Sequence, residues 1–176
     1  NAGADAYNTA VGFKAGISVT TGVLNTLIGA EAGDSLTAGV RNVAVGTSAL
    51  STEDAHGRNV AVGYAALLAQ NAGTDAYNVA IGYEAGVSVT TGVRNTILGG
   101  LAGDALTTGG NNVALGYAAL STEDAHGKNI AIGTHALLNL NAGADAYSVA
   151  VGYEAGKLMT TGVTSVLIGA FAGDSL

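Results

Sequence analysis

Two kinds of residue in this chain have the types and spacing for chemistry: a serine in a tight acidic turn, and histidines beside carboxylates. Gly33-Asp34-Ser35-Leu36 and Gly173-Asp174-Ser175-Leu176 place a serine directly after an aspartate. Hydrolases present a serine nucleophile in such a tetrapeptide, but the hydroxyl then needs a positioned histidine base. Neither copy has a partnered histidine, and the equivalent segment Gly103-Asp104-Ala105-Leu106 has alanine in the serine position. A nucleophile that one copy of a repeat has lost reads as a turn, so no catalytic residue is assigned and the chain is expected not to be an enzyme.

His56 and His126 each follow a Glu-Asp-Ala run, at Glu53-Asp54-Ala55 and Glu123-Asp124-Ala125. Imidazole and carboxylate are the donors of mixed nitrogen and oxygen metal sites. The two histidines hold equivalent places 70 residues apart, so they cannot meet on one ion within a chain, although a trimer could bring three copies of His56 around an axis. His56 is read as an exposed turn residue beside Glu53 and Asp54, and His135 as a surface residue at a strand end. No metal ligand and no cofactor are assigned.

The elements that position these residues come from an internal repeat. A phrase of the form Asn-(Val/Thr)-Ala-(Val/Ile)-Gly-x-x-Ala-(Gly/Leu) starts ten times, at Asn8, Asn25, Asn42, Asn59, Asn78, Asn95, Asn112, Asn129, Ser148 and Ser165. Successive starts are 17 residues apart except for two steps of 19, and residues 71–140 re-run residues 1–70 almost phrase by phrase. Within each phrase β-branched and small residues alternate with period two, which marks a short strand. The fifth position is always glycine (Gly12, Gly29, Gly46, Gly63, Gly82, Gly99, Gly116, Gly133, Gly152 and Gly169), as expected where a strand ends in a turn of positive φ.

A unit this short cannot bury its own apolar side, whereas stacked copies pair backbones and share one core. The fold class expected is all-β: a parallel β-solenoid or β-roll of about ten coils, forming a single segment over residues 1–176 with blocks 1–70, 71–140 and a partial 141–176. Segments such as Ile17–Gly22 predict a return strand or second side of the coil. The two longer steps predict loops that project from the rod. The asparagine column predicts a ladder of stacked amides. The fourth position (Val11, Ile28, Leu98, Ile168) is expected to point into the core. The alanine-bearing third position then lies on the opposite face, where a return strand or a sister chain covers it.

Composition narrows the function. The chain has 28 glycines, no proline, no cysteine and a net charge of -7, which excludes disulfides and argues against nucleic acid or anionic membrane as partner. The mean hydropathy of +0.38 is high, yet no apolar run approaches the roughly 18 residues of a spanning helix. Both ends fall inside a repeat, so the segment is expected to be excised from something longer. Arg41, Arg58, Arg94 and Lys128 fall just before the asparagine column and read as a sparse solvated edge. Tyr64, Tyr83, Tyr117 and Tyr153 after the core glycine, with Tyr7, Tyr77 and Tyr147 before the column, cover the coil corners; exposed, they would suit a glycan.

Asn42-Val43-Ala44-Val45-Gly46-Thr47-Ser48-Ala49-Leu50 and the recurrent Thr-Thr-Gly at Thr20–Gly22, Thr90–Gly92 and Thr160–Gly162 resemble the repeats of phage tail-fibre proteins, including those with a C-terminal self-cleaving intramolecular chaperone. Residues 22–34 are similar to phrases in marine phage fibres. A looser likeness is to the head repeats of YadA-type trimeric bacterial adhesins. The resemblance implies a homotrimeric fibre on a virion surface or otherwise outside the cell, binding a host-surface glycan or protein, with no membrane insertion. A bacterial adhesin or cell-surface filament is the alternative. A monomeric ice-binding solenoid is a further one, although Asp54 and Asn71 break the threonine register of Thr20 and Thr37.

Overall fold

The computed structural model describes residues 6–174. Ten three-residue strands follow one another among them: β1 (Thr9–Val11), β2 (Thr26–Ile28), β3 (Val43–Val45), β4 (Val60–Val62), β5 (Val79–Ile81), β6 (Thr96–Leu98), β7 (Val113–Leu115), β8 (Ile130–Ile132), β9 (Val149–Val151) and β10 (Val166–Ile168). They form one parallel sheet in chain order, β1 to β10. Register is kept throughout, so that Ala44 sits between Leu27 and Ala61, and Val45 between Ile28 and Val62. The structure is therefore a β-solenoid, and nine steps of about 4.8 Å make its sheet about 43 Å long.

Each strand stops at its glycine for a steric reason visible at Gly29. Its φ is +135°, and a β-carbon there would stand 2.5 Å from the Gly46 carbonyl oxygen of the next coil. Only a residue without a side chain lets two coils approach so closely at that torsion. The chain then leaves the sheet through consecutive turns, in which Ala15, Ile17 and Val19 N–H groups donate to Gly12, Lys14 and Gly16 carbonyls. Left-handed residues alternate along this path, Lys14 at φ 56° and Gly16 at φ 57°, which prevents the turns from continuing as a helix.

The expected return strand is absent among the described residues: Ile17–Gly22 and its equivalents are bends and turns. That side of the coil still stacks through backbone bonds that converge on one carbonyl: the Thr20, Thr21 and Gly22 N–H groups donate to Thr37 O (2.9, 3.2 and 3.1 Å), and the Thr37 and Ala38 N–H groups to Asp54 O (2.6 and 3.1 Å). Bonds that share one acceptor hold the column without giving it ladder geometry. Asp54 interrupts the threonines as the sequence implied. In the longer coils Gly73 and Gly143 lie exposed, with nothing within 4 Å of a β-carbon built on either, so the inserted residues do project.

The two strand faces are the reverse of the sequence expectation. The third position points inward: Leu27, Ala44, Ala61, Ala80, Ile97, Ala114, Ala131 and Ala150 are fully buried. The fourth points outward, with Leu98 41% and Ile168 72% exposed. The coil is narrow, and its interior is already filled by a second buried column on the turn, Leu50, Leu67, Leu120 and Leu137. Small residues on the strand's inner face are what leave that column its room.

Candidate interaction face and buried acid–histidine turns

Because the strands pair in register, their outward residues make two parallel columns, one through Val43, Val60 and Val79 and one through Val45, Val62 and Ile81, continuing along the sheet. Nearly every side chain in them is aliphatic, with Thr9, Thr26 and Thr96 the exceptions. The stripe is about three residues wide, so its flat area is on the order of 400 Å². A contiguous apolar surface of that size matches the largest patch of a typical monomer, which often has a function.

The borders of this stripe differ in charge. On the N-terminal side, Arg41, Arg58, Arg94 and Lys128 occupy corner positions of positive φ. Arg58 pairs with Asp75 and lies over the Tyr77 ring. Lys128 Nζ donates to Asp145 Oδ2 (2.5 Å) and to Tyr147 Oη (2.9 Å). The longer coils thus fold an aspartate back onto these two cations, which holds the Asp145 carboxyl below the usual aspartate range and the Lys128 ammonium above the usual lysine range. Among the described residues Arg41 and Arg94 have no carboxylate at ion-pair distance. On the C-terminal side stand Glu31, Glu84 and Glu154, again at positive φ. Lys14 reaches Glu31 (3.9 Å), and Lys157 (3.0 Å) and His135 (3.5 Å) reach Glu154. Tyr64 and Tyr83 stack at 5.3 Å along the same edge, half-exposed. All seven tyrosines are half-exposed or more.

The asparagine column is buried and bonded, though differently from a ladder of amides. Each Oδ1 accepts the backbone N–H of the next member, as in Asn42 to Asn25 (2.9 Å), Asn59 to Asn42 (3.0 Å) and Asn112 to Asn95 (2.9 Å). Each Nδ2 spans the coil to a carbonyl 14 residues on, as in Asn25 to Gly39 O (2.8 Å) and Asn95 to Gly109 O (2.9 Å). Asn59 and Asn129, which open the longer coils, lack that second bond. Ser148 continues the column by accepting from Ser165 at 3.4 Å. The ten turn glycines all have positive φ, as their positions implied.

The Glu-Asp-Ala-His turns contain what the sequence did not reveal. Glu53 and Glu123 are fully buried, in the inward register that Leu36 and Leu106 hold one coil earlier. Oε1 of each accepts the backbone N–H of its histidine, at 3.1 Å from His56 and 3.2 Å from His126. Oε2 of each has no partner, nor does either histidine Nδ1. Burial pushes the Glu53 carboxyl up, against the opposing pull of the His56 backbone N–H and ring. A signal was available: acids that replace leucine in an inward register cannot reach solvent. The tetrapeptide Ser35, by contrast, is exposed in a turn and its N–H donates to Ser51 O (3.2 Å); Ser175 and Leu176 lie outside the described residues.

Comparison with protein-family models, curated proteins and solved structures returns no match, so geometry carries the functional argument. Among the described residues no helix is long and apolar enough to cross a membrane.

Proposed function

We propose that this chain is a segment of a structural and adhesive fibre, in which copies lie side by side with parallel rods and join through the outward face of the sheet. The observation that carries the proposal is that face: mostly aliphatic side chains in ten in-register strands, with no second sheet among the described residues to cover them. A surface repeating at every strand spacing is matched best by a surface of the same period, and another copy supplies one. The borders favour one orientation. With parallel rods about a common axis, the basic border of one copy meets the acidic border of the next, and Arg41 and Arg94 come level with Glu31 and Glu84 to within about one strand spacing. Antiparallel rods would set like borders together, which is unfavourable.

The role is mechanical. A fibre of this kind projects a binding tip, or offers weak sites repeated along its length, and the tail-fibre resemblance of the repeats supports a virion appendage that attaches to a host surface. Three copies are expected from that resemblance. Sedimentation equilibrium and velocity test the assembly: an elongated multimer is expected, and Val62→Lys with Leu115→Lys should convert it to monomer with unchanged β-sheet circular dichroism. A compact monomer of 17.0 kDa from the unaltered chain would overturn the proposal.

A further inference from the structure

We propose that the turns Glu53-Asp54-Ala55-His56 and Glu123-Asp124-Ala125-His126 each bind one divalent transition-metal ion of the zinc class, through the two carboxylates and the imidazole. In each turn one ligand atom from each of the three residues lies within 4.8 Å of the others. Donors about 2.1 Å from a tetrahedral ion are about 3.4 Å apart, so small side-chain rotations close either set onto an ion.

The buried glutamate makes these more than surface acidic clusters. Glu53 and Glu123 are 0% exposed, yet each leaves Oε2 without a donor. A carboxylate oxygen so buried and unpaired is costly unless the group takes up a proton or a cation meets it. The neighbouring imidazole lies at ion-pair distance from Oε1, with Nδ1 3.9 Å away in the first turn and 3.4 Å in the second, but Nδ1 makes no hydrogen bond and Oε2 stays open. Acceptor and ring nitrogen are both left open in the same turn, twice in one chain.

The next coil shows the same register filled by a neutral side chain. Gln70 is equally buried, but its Nε2 donates to Thr90 O (3.0 Å) and its Oε1 accepts from Asn78 Nδ2 (2.6 Å). The fold thus accepts leucine or a satisfied amide there without assistance, while the acid remains incomplete. Two carboxylates and a neutral imidazole carry a charge of -2, which a divalent ion balances. One nitrogen and two oxygen donors suit zinc or manganese better than calcium, which takes oxygen ligands alone. Exposed Asp54 and Asp124 leave an entry side and room for water as a further ligand.

Zinc titration of the chelator-treated full chain by calorimetry, with metal content measured after desalting, tests the proposal. Two ions per chain and a zinc-dependent rise in melting temperature are expected. Glu53→Gln should halve the stoichiometry. Glu53→Gln with Glu123→Gln should abolish it while leaving the metal-free melting temperature unchanged or higher. If that core variant fails to fold, Asp54→Asn with Asp124→Asn removes exposed ligands only and should lose the zinc response, whereas His135→Gln should keep both ions. No saturable zinc uptake by the unaltered chain, or uptake that survives the paired aspartate substitutions, would overturn the proposal.

Discussion

Leu27 fills the room left by Gly33 in the same coil and Gly16 in the one before: a β-carbon on Gly33 would stand 2.8 Å from Leu27 Cδ2, and one on Gly16 would stand 2.6 Å from Cδ1. In the next two coils the arrangement inverts, with Ala44 and Ala61 on the strand and buried Leu50 and Leu67 on the turn. Gly33 (φ 56°) and Leu50 (φ 51°) share a backbone conformation, so the exchange is one of volume alone. Leu27→Ala should therefore cost about 2–5 kcal/mol through the cavity it opens, and Gly33→Leu should be destabilising through overlap. The double variant should recover much of both losses, because it recreates the packing of the following coil. Denaturant unfolding decides it, and additive losses in the double variant would refute the exchange.

The asparagine column predicts a graded response. Asn95 uses both ends of its amide, accepting from Asn112 N–H and donating to Gly109 O. Asn59 accepts from Asn78 N–H (3.1 Å) but its Nδ2 has no partner. Alanine at either position orphans a backbone N–H, and at Asn95 it orphans a carbonyl as well. Asn95→Ala should accordingly be the more damaging, by about 1 kcal/mol, as expected for one further buried hydrogen bond. Equal losses in urea titrations would show that the bond across the coil contributes nothing.

Acid stability should depend on the cations beside the longer coil. Asp145 is held below its ordinary value of 3.8 first by the Lys128 hydrogen bond and then by the Gly127 N–H. A carboxyl depressed in the folded state contributes stability that is present above its unfolded pKa and is lost as pH falls through the folded value. Lys128→Met should leave melting unchanged in metal-free buffer at low pH, where Asp145 is protonated, and lower it above pH 3.8. The melting profile of the variant should thus be flatter between those limits. A profile parallel to that of the unaltered chain would remove the ion pair from the account.

The repeat made the solenoid and its register legible, because identical phrases at fixed spacing can share a core only by stacking. Which strand face is interior was not legible from alternation, since both faces are apolar. In seven coils the deciding quantity was volume: Leu27, Ile97 and Leu167 coincide with turn glycines Gly33, Gly103 and Gly173, whereas Ala44, Ala61, Ala114 and Ala131 coincide with Leu50, Leu67, Leu120 and Leu137; Ala10, Ala80 and Ala150, which coincide with Gly16, Gly86 and Gly156, carry no such sign. That exchange places the third position opposite the turn, hence inside. The missing second strand has a similar origin, because threonine favours extended backbone but sequence does not show that the N–H groups on that side converge on one carbonyl instead of forming a ladder. Glu53 drew notice only as a neighbour of His56, yet it belongs to the register of Leu36.

Corner geometry gives a last test. The residue before each column member has positive φ, from 49° at Tyr7 to 65° at Lys128, and none of them is glycine. For an L-residue with a full side chain this conformation costs roughly 1–2 kcal/mol, and at Leu24, Arg41, Arg58, Arg94, Asn111, Lys128 and Thr164 the residue's N–H then donates to the preceding coil, as Leu24 does to Ala6 O (2.8 Å). Asparagine tolerates the left-handed region better than leucine and already stands at Asn111 with φ 60°. Leu24 is 45% exposed, so its replacement forfeits only part of an apolar contact. Leu24→Asn is therefore expected to raise unfolding free energy by several tenths of a kcal/mol, with glycine giving less because it also gains freedom in the unfolded chain. Should Leu24→Asn instead lower stability in denaturant titrations, the apolar contact of Leu24 would outweigh the backbone relief, and the corner would be a packing site before a turn.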